Sequence, residues 1–335
     1  MVRCYNLVEK YLGRYIMTRE QYLKNLKAPG GRVDVILDTD AFNEIDDQFA
    51  IAYLLASGEK LNTVGVCAAP FYNSLSSSPE DGMNKSFDEI HKLLELVGRE
   101  ELKERTFRGS TSYLPDESTP VESAAADFIV ETARKYSPEA PLYVVAIGAI
   151  TNVASAILKD PKAMENTVVV WLGGHCMGCD WREEASEFNM AQDIAGARVL
   201  FGSATPLVML PCEGVVSAFT LSGAECEHWL RSTNPVGDYL CANTISAAEK
   251  YAAGTPWTRV IWDVTAVAWL LGTPERNSFM ATREIRAMLP EYDKSYSYPE
   301  NGKPITYVTK IHRDRLMTDL IEKIRGYNEG SADSQ

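Results

Sequence analysis

The chain has 335 residues, 45% of them hydrophobic, which excludes a disordered protein and suits one large α/β domain or two smaller ones with a substantial core. Its 46 acidic residues against 33 basic ones leave a net charge of −13, which excludes nucleic acid as the natural partner and favours a small neutral or cationic substrate. No run approaches the ~18 apolar residues of a membrane span, no signal peptide is recognisable at the N-terminus, and seven scattered cysteines suggest reduced thiols in a cytoplasmic protein.

Residues 1–31 read as an arm packed on the domain or on a neighbouring subunit. Thr18 is placed to cap a short helix, and Ala28-Pro-Gly-Gly31 resets the backbone before the first strand. A β-branched run then ends in Asp38, and a loop carries Thr39, Asp40, Asn43, Glu44 and Asp46 into a helical pattern of Phe49, Ala50, Tyr53 and Leu54. Carboxylates at 46 and 47 suit a helix start. That does not explain four aspartates converging on the carboxyl end of one strand, where open α/β sheets bind ligands. Left alone they would repel one another. A hard divalent cation, calcium or magnesium, resolves the conflict through oxygen ligands.

Strand and helix patterns alternate from there. A strand at 61–68 leads through a polar loop, 70–82, to a helix at 87–97; Asn73 in that loop is a candidate contact for a substrate hydroxyl or an ordinary turn asparagine. Residues 122–136, 149–158 and 191–201 read as helices, and 141–147, 167–172 and 206–210 as strands. The repetition predicts a mostly parallel central sheet with helices on both faces. From 222 to 272 the pattern is mostly helical, from 273 to 313 irregular and rich in Tyr and Pro, and 314–324 forms a last helix before a flexible tail at 326–335. The predicted organisation is therefore an arm (1–31), one α/β domain (32–325) and the tail.

Three later stretches belong with the acidic loop. Ser186-Glu187-Phe188-Asn189 sets polar donors and acceptors around an aromatic, as recognition of vicinal hydroxyls requires. Thr151 lies at a strand-to-helix turn, where its main-chain carbonyl could reach a metal. Asp263, after Trp262, is either a helix cap or a further ligand. His175-Cys176-Met-Gly-Cys179 mimics a zinc or redox pair, yet no second pair stands at the spacing such a site needs, so it reads as a loop beside the site. His175 is singled out because Gly173-Gly174 puts it at a strand end.

Taken in order, Leu37-Asp38-Thr-Asp40, Ile45-Asp46-Asp47, Ile147-Gly-Ala-Ile-Thr151-Asn152, Ser186-Glu187-Phe188-Asn189 and Trp262-Asp263 resemble the motifs of the nucleoside hydrolase (N-ribohydrolase) family, over roughly residues 33–325. The resemblance implies a Rossmann-like domain, a tightly bound calcium ion, a homo-oligomer (dimer or tetramer) and hydrolysis of the bond between ribose and base. By position, Asp40, Asp47, Asp263 and the Thr151 carbonyl correspond to calcium ligands, with Asp40 also the general base. Asp46, Glu187 and Asn189 correspond to ribose contacts, and Asp38 to a support of the loop.

Two departures stand out. Ala41-Phe-Asn43-Glu44 is two residues longer than the family's usual Pro-Gly link, bringing Asn43 or Glu44 towards the site. A family asparagine is missing before Glu187, where Asp180 is the nearest stand-in. Trp262 replaces the histidine of the pyrimidine-tolerant branch and matches the purine-preferring one. The rival readings are a riboside-binding homologue with little turnover and a haloacid-dehalogenase-like phosphatase. The latter's nucleophile motif would continue with Thr or Val where Phe42 stands.

Overall fold

The structure, a computed structural model, describes residues 17–178 and 184–328. Asp180 and parts of the arm and tail therefore lie outside the described residues. In chain order the elements are α1 (Arg19–Asn25), β1 (Val33–Thr39), α2 (Ile45–Ala56), β2 (Leu61–Ala68), α3 (Pro79–Leu96), β3 (Thr106–Arg108), α4 (Ala124–Ala133), β4 (Leu142–Ala146), α5 (Thr151–Lys159), α6 (Pro161–Met164), β5 (Thr167–Leu172), α7 (Phe188–Gln192), α8 (Ile194–Gly202) and β6 (Leu207–Leu210). There follow β7 (Thr220–Ser222), α9 (Gly223–Trp229), α10 (Pro235–Ala252), β8 (Thr258–Val260), α11 (Val264–Leu270), β9 (Met280–Arg286), β10 (Leu289–Pro290), β11 (Tyr296–Ser297), β12 (Pro304–Ile311) and α12 (Arg313–Arg325).

Eight strands form one sheet in the order β3-β2-β1-β4-β5-β6-β12-β9, parallel throughout except for the antiparallel β12–β9 edge. The period of two explains its two-sided core. Val35 and Leu37, Val168 and Val170 face one hydrophobic cluster with α2 and α11, while Ile36, Val169 and Trp171 face the other with α4, α5 and α8. Because both faces are covered, the central strands read as continuous apolar runs. α2 is buried from Ile45 to Leu55 and so shows little amphipathic signal.

Thr18 caps α1 as its position predicts, its hydroxyl accepting from the Gln21 N–H. Three expectations need correction. Residues 273–313 are not irregular: β9 and β12 within them complete the sheet. β9 is an edge strand, mostly exposed and rich in charge, so it lacks the apolar alternation that reveals a strand. The helix at 191–201 is two helices, divided where Asp193 caps α8 through the Gly196 N–H. Cys176 is disulfide-bonded, whereas Cys67, Cys212, Cys226 and Cys241 are free and buried. Among the described residues no helix is long and apolar enough to cross a membrane.

Candidate active site

The carboxyl end of β1 sets the floor of a cavity of about 300 Å³. The ladder continues past the strands: the Ala69 N–H donates to the Thr39 carbonyl at 2.8 Å and the Ile147 N–H to the Asp38 carbonyl at 2.9 Å. The loop then turns through an Asn43 N–H to Asp40 carbonyl bond of 2.7 Å and delivers Asp46 and Asp47 on the first turn of α2. Asp263 comes from the start of α11. It makes no capping hydrogen bond there, so its carboxylate serves the cavity and not the helix.

Asp46, Asp47 and Asp263 form the one group of three possible ligands among the described residues, with one oxygen of each within 4.8 Å of the others. Asp40 lines the same floor. All four are at most 3% exposed. Burial, and then repulsion from Asp47 and Asp46, holds the Asp40 carboxyl well above the ordinary range. Burial and the same neighbours do likewise at Asp263. Burial also raises Asp46 and Asp47, while the Thr39 hydroxyl donates to Asp47 and opposes the shift there.

Both Asp40 oxygens and Oδ1 of Asp46 are buried with no hydrogen-bond partner. Such atoms are costly unless something positive meets them. The donor set, hard and all oxygen, fits calcium or magnesium. A Cβ on Gly148 would stand 2.9 Å from Asp40 Oδ1 and 3.0 Å from the Ala69 Cβ, so a side chain there would press on the Asp40 carboxylate.

Asp38 sits one layer below and does not line the cavity. Its Oδ1 accepts from the Asn152 amide at 2.7 Å, and burial raises its pKa to about 7 against the lowering effect of that bond. Asn152 in turn accepts from Ser110, tying the turn after β3 to the loop.

The walls carry the remaining polar groups. Glu187 caps α7, its carboxylate accepting from the N–H groups of Asn189 and Met190 and also from Gly174. The Asn189 amide nitrogen donates to the carbonyls of Ile147 and Leu172, both at 3.1 Å, so it clamps the ends of β4 and β5 and leaves its own oxygen for a ligand. Asn43, Glu44, His175, Glu213, Trp262, Phe188 and Cys212 complete the lining.

Of the residues singled out in the sequence, Asp40, Asp46, Asp47, Asp263, Glu187, Asn189, Trp262, Asn43, Glu44 and His175 meet in this one cavity. Asn73 does not line it. Its amide donates to Asn43 at 2.7 Å, so it supports a lining residue from behind. Thr151 is also outside the lining. Its hydroxyl donates to Asp193, and the residue of this turn that lines the cavity is Ile147, four residues earlier just past β4. Glu213 and Cys212 were not singled out, although they follow β6 at the same edge of the sheet.

The model of the family described as inosine-uridine preferring nucleoside hydrolase matches residues 35–317. A probable uridine nucleosidase 2 of Arabidopsis thaliana is 26% identical over 239 residues, which cover 64% of this chain and 69% of that protein. A pyrimidine-specific ribonucleoside hydrolase, RihA, of Salmonella schwarzengrund is 27% identical over 162 residues, 47% of this chain and 51% of its own. The chain thus spans about half the length of that bacterial relative. Two solved structures share the fold. A plant nucleoside hydrolase (PpNRh1) has a TM-score of 0.69 at 18% identity, covering 88% of this chain and 99% of its own. A purine-preferring ribonucleoside hydrolase from Gardnerella vaginalis has a TM-score of 0.66 at 21% identity, covering 88% and 98%.

Proposed function

Because the chain belongs to the inosine-uridine preferring nucleoside hydrolase family, we propose that it hydrolyses the N-glycosidic bond of a ribonucleoside, purine in preference, at a calcium-binding site. The observation that carries this reading is the set of orphaned, buried carboxylate oxygens on the floor of a cavity walled by Glu187, Asn189 and Trp262. Asp40, Asp47 and Asp263 would hold the ion. Because Ile147 lines the cavity and Thr151 does not, the Ile147 carbonyl would serve as the main-chain donor in place of that of Thr151. Calcium bound there would supply Lewis acidity, lowering the pKa of a water and offsetting the aspartates' repulsion.

The chain's own groups do the rest. Asp40 accepts the proton of the attacking water beneath C1′. Asp46, Glu187 and the Asn189 oxygen bind ribose hydroxyls and hold the ring over that water. The surrounding carboxylates favour the positive charge that develops on the ribosyl ring as the bond to the base breaks. Trp262 offers an indole face to the departing base. That face favours a large π-system carrying developing positive charge, as a purine does when protonated on its ring.

Release of free base from inosine without release of phosphate from a nucleotide tests the reaction class and sets aside the phosphatase reading. Riboside binding without base release would instead identify a binding protein. Since sequence relatives are named for uridine and pyrimidines, both substrate classes belong in the assay. Inosine is expected to be turned over faster than uridine. Trp262→Ala should lower kcat for inosine about tenfold, the equivalent of ~1.4 kcal/mol. It should leave a nitrophenyl riboside nearly unaffected, because that leaving group needs no proton. Equal losses on both substrates would reduce Trp262 to a wall.

Ribose recognition has its own test. Asn189→Ala should raise KM for inosine by about tenfold, as loss of a hydrogen bond to a hydroxyl in a closed site does, with calcium content unchanged. Equal turnover of ribosides and 2′-deoxyribosides by the parent protein would show that no such hydroxyl contact exists.

A further inference from the structure

Glu44 is the N-cap residue of α2, with extended backbone (φ −140°, ψ 169°), yet its side chain caps nothing. Its carboxylate instead pairs with the guanidinium of Arg259 on β8. Arg259 is otherwise weakly held: Nη1 donates to the Tyr251 hydroxyl at 3.3 Å, the guanidinium lies 5.6 Å from that ring's centre, and Nε is buried without a partner. The Arg259 side chain is 18% exposed and that of Glu44 is 40% exposed, so the pair is only partly screened by water.

The two residues sit on the two segments that deliver the acidic floor. Glu44 is two residues before Asp46 and three before Asp47, which open α2. Arg259 is four residues before Asp263, and the intervening backbone is pinned where the Ile261 N–H donates to the Phe219 carbonyl at 3.0 Å. β8 itself is held by β7, Arg259 standing opposite Leu221. Across the gap a carboxylate oxygen of Asp46 and one of Asp263 lie within 4.8 Å of each other. Four aspartates brought together from these two segments repel one another, and the force between Asp46 and Asp263 pushes α2 and α11 apart. An ion pair beside the cluster, on the same two segments, opposes that separation. Glu44 belongs to the link between Asp40 and the Asp pair, and its carboxylate reaches Arg259 from there.

We propose that Glu44 and Arg259 are positioning residues: their ion pair holds the first turn of α2 against the start of α11 and so fixes the separation of Asp46 and Asp47 from Asp263. This rests on the cation site of the proposed function.

Its consequence has a sign that simple electrostatics does not share. Were charge alone at work, Arg259→Gln would remove a repelling cation and tighten calcium binding, while Glu44→Gln would weaken it. Positioning makes both substitutions weaken binding, by about three- to tenfold for a partly exposed pair, and makes the Glu44→Gln/Arg259→Gln double variant little worse than either single one.

Calorimetric titration of calcium into chelated parent and variant proteins reads this directly, with melting of the chelated forms reporting whether each is folded. Where Arg259→Gln is too unstable to titrate, Arg259→Lys keeps the charge and loses the planar fork; weaker binding by it supports positioning, and binding equal to the parent's overturns it. Parent-like or tighter binding by Arg259→Gln also overturns the pairing while leaving the proposed function intact. A parent that binds no divalent cation overturns both.

Discussion

Asp47→Ala is expected to abolish calcium binding, and with it a calcium-dependent rise in melting temperature that should be about 5 °C in the parent, the size that follows when the ion is present at ~100 times its Kd. The reasoning starts from the cation-free protein. There Asp47 belongs to a triple whose oxygens approach within 4.8 Å, and burial raises the pKa of every member. Deprotonating these groups in the folded state costs more than in the unfolded chain. Removing one carboxylate therefore relieves strain when no ion is bound, and chelated Asp47→Ala should melt no lower than chelated parent. With calcium the order reverses, since only the parent has the full donor set. The crossing of the two curves is the diagnostic. Differential scanning calorimetry with and without chelator, plus elemental analysis of the purified proteins, measures it. A variant that retains the parent's calcium content removes the cation site; one that melts lower in both conditions shows that Asp47 acts through its bond from Thr39 instead.

The sequence revealed those parts of the fold whose local pattern and tertiary role agree. β1 and β2 are apolar because both faces are covered, and the aspartates after β1 could not all be explained by a helix cap. Legibility failed where a role depends on partners distant in sequence. β12 is a strand because β6 and β9 lie beside it, and of those two only β6 was legible from its own residues. Thr151 sits at the right turn, but the end of a strand and the start of a helix differ there by four residues, and the cavity meets Ile147. Asn73 was open between a substrate contact and a turn asparagine, and its side chain accepts from the Leu75 N–H in the turn and donates to Asn43 behind the lining. Glu44 was placed near the site by loop length alone, while Arg259 carries no sequence signal because its meaning comes entirely from the carboxylate it meets. Asp263 is the opposite case. As a single residue a helix cap was the simpler reading, and only its lack of a capping bond and its proximity to Asp46 assign it to the floor.

Asp40→Asn is expected to lower kcat by about 10² to 10⁴, the range that a positioned general base contributes, on every substrate alike. The substitution is nearly isosteric, so it keeps the contact of this side chain with Gly148. It also removes a buried charge from a cluster in which Asp46 and Asp47 oppose it, so folding should not suffer. What should be lost, on the proposed mechanism, is the capacity to accept a proton from the water beneath C1′. That step comes before any difference between leaving groups, so inosine and a nitrophenyl riboside should slow together. Trp262→Ala separates the same two substrates. Measuring both variants on both substrates therefore places the two residues on opposite sides of the breaking bond. Retained calcium in Asp40→Asn, with kcat reduced and KM little changed, assigns Asp40 to the water. Loss of calcium together with activity would make Asp40 a ligand first. Full activity with calcium bound would leave Asp46 and Glu187, the buried carboxylates in the lining not assigned to the ion, to take the proton.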